Sequence, residues 1–372
     1  MKSMQTELFR SLVVGVLSIV VVGGCTPMSG NGNDNGNGNG NDGSGNVNDN
    51  SDGQGNGNDS NGNEDNGNDN ASGTITWNEP YDATDDGFLS AAWGPASDDV
   101  YFFGGQPESG VIIHFDGTAF TREEIPDVPI LVWGFGFGAE DIYGVGEQGA
   151  VLSYDGTTWS ELDSGTDIDL FGVWGASPDD VWMVGGEAGF GMPVILRYDG
   201  EAFENIPLPE TDREDAALLK VWGTSADNVF AVGERGLILH FDGTEGSQQG
   251  SGTSEDLVSL WGTGPDNIVA VGGRANAVIL SYDGEEWTVR PTPGLAGLNG
   301  VFVVDPEVAV VGGLIGTLAD FNINTGDVTL ADSPSIDTIH AIFEDGAGTF
   351  YAVGGQNFGS PFTGVLLDRQ AE

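Results

Sequence analysis

The chain has 372 residues, 38% of them hydrophobic, and 58 acidic residues stand against ten basic ones for a formal net charge of −48. Charge of that sign repels phosphate backbones and anionic lipid surfaces, which excludes nucleic acid as a partner class. A single cysteine, Cys25, excludes an internal disulfide.

The chain opens on Lys2 and Arg10, then a largely apolar run from Ser11 to Val22. A basic start, an apolar stretch too short to span a bilayer and then small residues read as a secretory signal. The small residues end in a thiol, and Val22-Gly23-Gly24-Cys25 resembles the bacterial lipobox. That resemblance implies a signal peptide over 1–24, lipid attachment at Cys25, and an exported protein held to a membrane through its lipid. Thr26, rather than Asp, after the cysteine implies the outer membrane. Each buried CH₂ of the lipid adds about 0.8 kcal/mol of membrane affinity.

From 25 to 73 the chain is mostly Asn, Gly, Asp and Ser. Such a segment has too little apolar surface to offset its ordering entropy, so a disordered tether is expected. As a Gly-rich coil it spans roughly 40 Å on average. Asn48-Asp49-Asn50-Ser51-Asp52-Gly53 faintly resembles a calcium loop. It lacks the closing Glu and the flanking helices, and reads as linker.

The remainder, 74–372, is periodic and carries 49 acids and eight bases, a net −41. Aromatics recur at Trp93, Trp133, Trp174, Trp222, Trp261, Phe302 and Phe343, at spacings of 40, 41, 48, 39, 41 and 41. Each repeat holds four short apolar runs divided by Gly and Asp. A period near forty of this kind reads as one four-stranded sheet per repeat. Asp-Gly pairs at Asp116, Asp155, Asp199, Asp242 and Asp283 close a hairpin in five of the repeats, and that dipeptide predicts a type I′ turn. The seventh repeat lacks its own fourth strand, and a spare strand stands at 74–78 with Trp77 as its aromatic. The expected fold is therefore all-β, a seven-bladed β-propeller of four-stranded antiparallel blades whose N-terminal strand completes the last blade.

From Thr74 to Leu367 the pattern resembles WD-repeat-like and Asp-box (BNR) propellers. That class includes sialidase-type domains and photosystem II assembly-factor propellers. Tyr154-Asp155-Gly156-Thr157-Thr158-Trp159 sits where the Asp-box turn sits, without the extra residue between Asp and Gly.

Turns at one end of the blades are nearly uniform, while loops at the other vary in length and chemistry. Uniform turns read as scaffold and diverse loops as a binding face. The variable rim carries Glu147, Glu187, Glu234, Arg235 and Arg274, with apolar tips at Phe190, Met192, Phe358 and Phe362. Aromatics and arginines are what interface hot spots use. His114 and His240 share a repeat position that is Ser153, Arg197 and Ser281 elsewhere, so they read as scaffold. His340 falls on an inner strand beside the channel, with no second His or Cys to make a zinc site.

The expectation is a non-catalytic, monomeric binding or scaffold module at the cell envelope, with a protein or glycan as ligand and no metal or cofactor. Two alternatives stand beside it. One is a polysaccharide hydrolase or lyase, for which Glu187 with Glu234 would be a candidate acid–base pair. The other is an assembly factor for an envelope complex, as the photosystem resemblance implies.

Overall fold

The structure, a computed structural model, describes residues 75–187 and 189–371. The expected signal peptide, Cys25, the tether and the Asn48–Gly53 segment lie outside the described residues.

Twenty-eight described strands form seven four-stranded antiparallel sheets. Blade 1 runs outward through Phe88–Ala96, Asp99–Gln106, Ser109–Phe115 and Phe120–Arg122. Blades 2 to 6 repeat this order, with inner strands Leu131–Gly138, Leu170–Ser177, Leu218–Ser225, Leu257–Gly264 and Leu298–Val303. Inner strands are buried on both faces, which is why their sequences are continuously apolar rather than alternating. Blade faces pack on one another through side chains such as Phe102, Phe103, Phe230 and Phe321, all fully buried.

Blade 7 closes the ring. Its strands Thr338–Glu344, Thr349–Gln356 and Thr363–Gln370 are completed from the N-terminus. The closing strand is Asn78–Tyr81, with Asn78 opposite Asp368, so its bounds shift from the expected 74–78. The shift has a cause. Thr76 bridges to Asp332, just past the outer strand of blade 6, and the Asp332 N–H donates to the Ile75 carbonyl at 2.9 Å. Trp77 is buried between the two sites, with the Arg369 guanidinium 5.1 Å from its ring centroid.

A second correction concerns blade 2. Trp93 pairs with Tyr101, Trp174 with Trp182 and Trp222 with Phe230, but in blade 2 the residue in that register is Phe135, opposite Tyr143. Phe135, not Trp133, continues the aromatic series, with ring centroids 6.2 Å from Trp93 and 6.3 Å from Trp174. The residue before it is then Gly134, where the other six blades carry an apolar side chain, from Ala92 to Ile342. The Phe103 ring of blade 1 fills that place, and a Cβ on Gly134 would lie 2.1 Å from it.

The Asp-Gly hairpins also differ from expectation. Type I′ needs positive φ at both central residues. Here only the glycine is left-handed, as at Gly117 (φ 81°) and Gly156 (φ 85°). The loop has four residues, because the aspartate side chain organises it. Asp116 Oδ1 accepts from the N–H groups of Thr118 and Ala119, both at 2.8 Å, and Asp155 does the same for Thr157 and Thr158. In blade 6 Asn322 takes this role toward Asn324 and Thr325.

Candidate binding rim and central channel

The two termini of each inner strand divide the molecule into faces. The Asp-Gly loops gather on one. The loops joining second to third strands gather on the other, together with the connections between blades.

On this variable face three loops share the sequence Gly-X-X-Gly: Gly146–Gly149, Gly233–Gly236 and Gly313–Gly316. Their third residues, Gln148, Arg235 and Ile315, all lie in the left-handed region at φ 56° to 58°. In two of them the strained N–H is held by the next connection. Gln148 N–H donates to Asp169 and Arg235 N–H to Asp256, both at 2.8 Å. Ile315 is β-branched, a residue type that rarely adopts this conformation, and its side chain is largely exposed.

The expected rim residues separate into three groups. Phe190 and Met192 are 63% and 54% exposed at the tip of a blade 3 hairpin, Phe358 is exposed on blade 7, and Glu187 is exposed beside Phe190. The charged residues mostly hold loops. Buried Glu234 accepts the Gly189 N–H at 2.6 Å and the Ala217 N–H at 3.2 Å, pinning the blade 3 hairpin to blade 4. Arg235 pairs with Asp215, and Arg274 with Asp256 at 2.6 Å. Phe362, expected at a tip, is instead only 4% exposed. It packs with Phe88 and Ile130, and the Gln106 amide hydrogen-bonds both its N–H and its carbonyl at 2.8 Å.

Two exposed side chains on this face escaped the sequence reading: Ile315 and Ile336, the latter 83% exposed. A Cβ on Gly316 would meet the Ile336 backbone at 3.1 Å, so the two loops adjoin. Nothing in an isolated isoleucine marks it as exposed. The signal was the Gly-X-X-Gly frame, whose third position holds polar Gln148 and Arg235 in the other two copies.

Glu147 lies at the mouth of the central channel. There Phe88, Ser90, Ile130, Leu131, Val132, Phe171, His340 and Asn357 enclose, with Glu147, a cavity of about 20 Å³, room for about one water. Four of these, Ser90, Val132, Phe171 and His340, stand at one repeat position, three before the inner-strand aromatic. The ring at that position continues as Leu219, Val258 and Asn299. It is apolar on blades 2 to 5, where Val132, Phe171, Leu219 and Val258 form one cluster, and polar on blades 6, 7 and 1. Asn299 is buried and its Nδ2 has no hydrogen-bond partner among the described residues. His340 Nδ1 lies 2.8 Å from the Ser90 carbonyl, so this nitrogen donates and Nε2 carries the lone pair. Burial, and then the Lys220 charge, hold His340 down at about 4.

The next residue along each strand gives a second ring. On blade 2 it is Trp133 and on blade 4 Lys220, and the Lys220 Nζ lies 3.0 Å from the centroid of the Trp133 ring. Lys220 is 3% exposed, and burial holds its amine well below the usual lysine range. The other two histidines are scaffold. His114 Nε2 bonds Asp99 and His240 Nε2 bonds Asn228, each at 2.8 Å, and the rings stack on Tyr101 and Phe230. Among the described residues no group of three or more His, Cys, Asp or Glu side chains is arranged to hold a metal.

Comparison with known proteins locates the chain by fold. No family model matches it, and neither does any curated protein. Solved structures do. YCF48 bound to D1 peptide superposes with a TM-score of 0.60 at 14% identity, over 80% of this chain and 100% of that one. YCF48 from Cyanidioschyzon merolae gives 0.60 at 13%, over 79% and 98%. The WD40 β-propeller domain of Doa1 gives 0.61 at 10%, over 80% and 98%. At such identities the likeness shows the fold, a seven-bladed β-propeller.

Proposed function

We propose that this protein is a non-catalytic scaffold that binds a protein segment on its variable rim. The observation that carries the reading is the set of large apolar side chains held exposed there: Phe190, Met192, Ile315, Ile336 and Phe358. Loops that present such groups on a rigid frame are built for recognition, since solvent alone gives no reason to keep them. The strained φ of Ile315 points the same way, because strain at a surface is tolerated where it serves contact.

Around these anchors stand Asp82, Asp85, Glu108, Glu187, Glu214 and Glu255, all exposed. The complementary partner is a basic segment with aromatic or aliphatic anchors. That one similar structure, YCF48, holds a D1 peptide supports a peptide as ligand class. Against the hydrolase alternative, both carboxylate oxygens of Glu234 are engaged by backbone amides, which leaves Glu187 without its acid–base counterpart. The lipobox-like Val22–Cys25 and the tether after it support a module held to the outer membrane by lipid on Cys25.

Capture from detergent-solubilised envelope tests this, using the full chain beside a Phe190→Ser, Met192→Ser, Phe358→Ser variant. A protein retained by the wild type and lost by the variant is the expected result. Equal retention by both removes the rim from the account.

A further inference from the structure

The exposed apolar side chains of the variable face fall into two groups. Phe190 and Met192 stand at the tip of the blade 3 hairpin. Ile315 stands on the blade 6 loop, Ile336 on the connection from blade 6 to blade 7, and Phe358 on the blade 7 loop. In a ring of seven, blade 3 is three and a half blades from the seam between blades 6 and 7, which is half the circle. The two groups therefore face each other across the channel mouth. Sheets packed face to face lie about 10 Å apart, so seven blades make a ring about 22 Å across at mid-blade, and roughly seven residues of extended chain, at about 3.3 Å each, cover that distance.

Two routes around the mouth join the groups, and charge separates them. Over blades 7, 1 and 2 the exposed side chains include Asp82, Asp85, Glu108, Glu124 and Asp127. Arg122, at the end of the outer strand of blade 1, is paired with buried Asp86. The other route, over blades 4 and 5, holds Arg213, Arg235 and Arg274. The mouth itself lies on the acidic route, with Glu147 on its wall. Its cavity of about 20 Å³ takes about one water, so an arriving chain lies across it and does not enter.

We propose that the partner of the rim is one extended segment lying across the channel mouth over blades 7, 1 and 2, with an apolar anchor near each end, about seven residues apart, and Lys or Arg between them. This rests on the rim reading above and adds to it the path, the spacing and the placing of charge. One anchor covers Phe190 and Met192, and the other covers Ile315, Ile336 and Phe358. The cations between them stand over the carboxylates of the acidic route. Two modest apolar contacts carried by one chain reinforce each other, because the first to form holds the second at high effective concentration.

The probe is a phage-displayed library of random peptides about twelve residues long, panned on the full chain, since twelve extended residues exceed the distance to be crossed. Enriched peptides are then synthesised and their affinities measured. They are expected to carry two apolar residues about seven apart with Lys or Arg between. Phe190→Ser with Met192→Ser, and separately Ile336→Ser with Phe358→Ser, should each weaken binding about tenfold or more. All four side chains are exposed, so neither variant disturbs the core. Glu108→Gln with Asp127→Asn should weaken binding as well, and Glu214→Gln with Glu255→Gln, on the other route, should not. Peptides that hold a single anchor and respond to one apolar variant only would overturn the crossing segment while leaving the rim as the recognition face. Equal effects of the two acid variants would overturn the path. If no peptide is enriched, or if binding ignores both apolar variants, this inference and the rim reading fail together.

Discussion

Lys220, on blade 4, meets Trp133, on blade 2, although blade 3 stands between them, and its Nζ lies 3.0 Å from the ring centroid. The inner strand of blade 3 carries Gly172 at the same position, close against the Lys220 Cα, where an added Cβ would lie 3.1 Å from it. Trp133 is available for this contact only because Phe135 holds the blade 2 place in the aromatic series. The slip of two residues moves an indole from between the blades to the channel.

Gly134 is the point at which that slip is accommodated. Gly134→Ala places a methyl group into the Phe103 ring, and backbone cannot relieve the overlap without moving blade 2 against blade 1. Overpacking of this kind is expected to cost about 1–3 kcal/mol, measured as a lowered denaturation midpoint at unchanged denaturant slope. An unchanged midpoint would mean that Phe103 does not occupy the slot.

His340 makes stability depend on pH. Its folded value, about 4, lies below the ordinary 6.5, so between these values the unfolded chain binds more protons. Stability on this account is full above about pH 6.5 and falls as pH drops toward 4, by up to about 3 kcal/mol from this group. His340→Asn, the residue blade 6 uses at the same position as Asn299, is expected to flatten that part of the pH profile. Chemical denaturation of both proteins from pH 7 to 4 measures the difference, and parallel profiles would remove His340 as the cause.

Glu234 is expected to matter through the blade 3 hairpin that it holds. Glu234→Ala leaves the Gly189 and Ala217 N–H groups without their acceptor, a loss of about 1–3 kcal/mol. Limited proteolysis should then cut first near Phe190 and Met192. Cleavage unchanged in rate and place would show that the hairpin keeps its position without the carboxylate.

The acid excess predicts a salt response. With −41 on the segment from Thr74, repulsion between surface carboxylates opposes the compact state, and salt screens it. Thermal stability is expected to rise from 0.1 to 1 M NaCl. A flat response would show that the acids are spaced widely enough, or paired well enough, to be indifferent to salt.

The architecture was legible because its signals are local and repeated seven times. Asp116, Asp155, Asp199, Asp242 and Asp283 punctuate the outer hairpin of five blades, and the incomplete seventh repeat beside a spare N-terminal strand implies closure. What was missed depends on pairing. Trp133 and Phe135 both fit an inner-strand aromatic by spacing, and only the opposite residue, Tyr143, decides between them. The exposed Phe190, Met192 and Phe358 could be read from loop diversity, while Phe362 could not be told from a tip without Gln106 across from it. The contact between Lys220 and Trp133 was invisible for a similar reason. His340 could be placed beside the axis from its repeat position, but the Lys220 amine meets the Trp133 ring across blade 3, which sequence spacing does not bring together.

The claim that the variable rim is the recognition face is tested most directly by placing a photo-crosslinking amino acid at two positions in the full chain. One replaces Phe358 on the rim, and the other replaces Thr118 in an Asp-Gly loop on the opposite face. Irradiation in cells should give a discrete crosslinked protein from position 358 and none from position 118. A crosslink from 118 alone, or the same product from both, would contradict the assignment of the binding face.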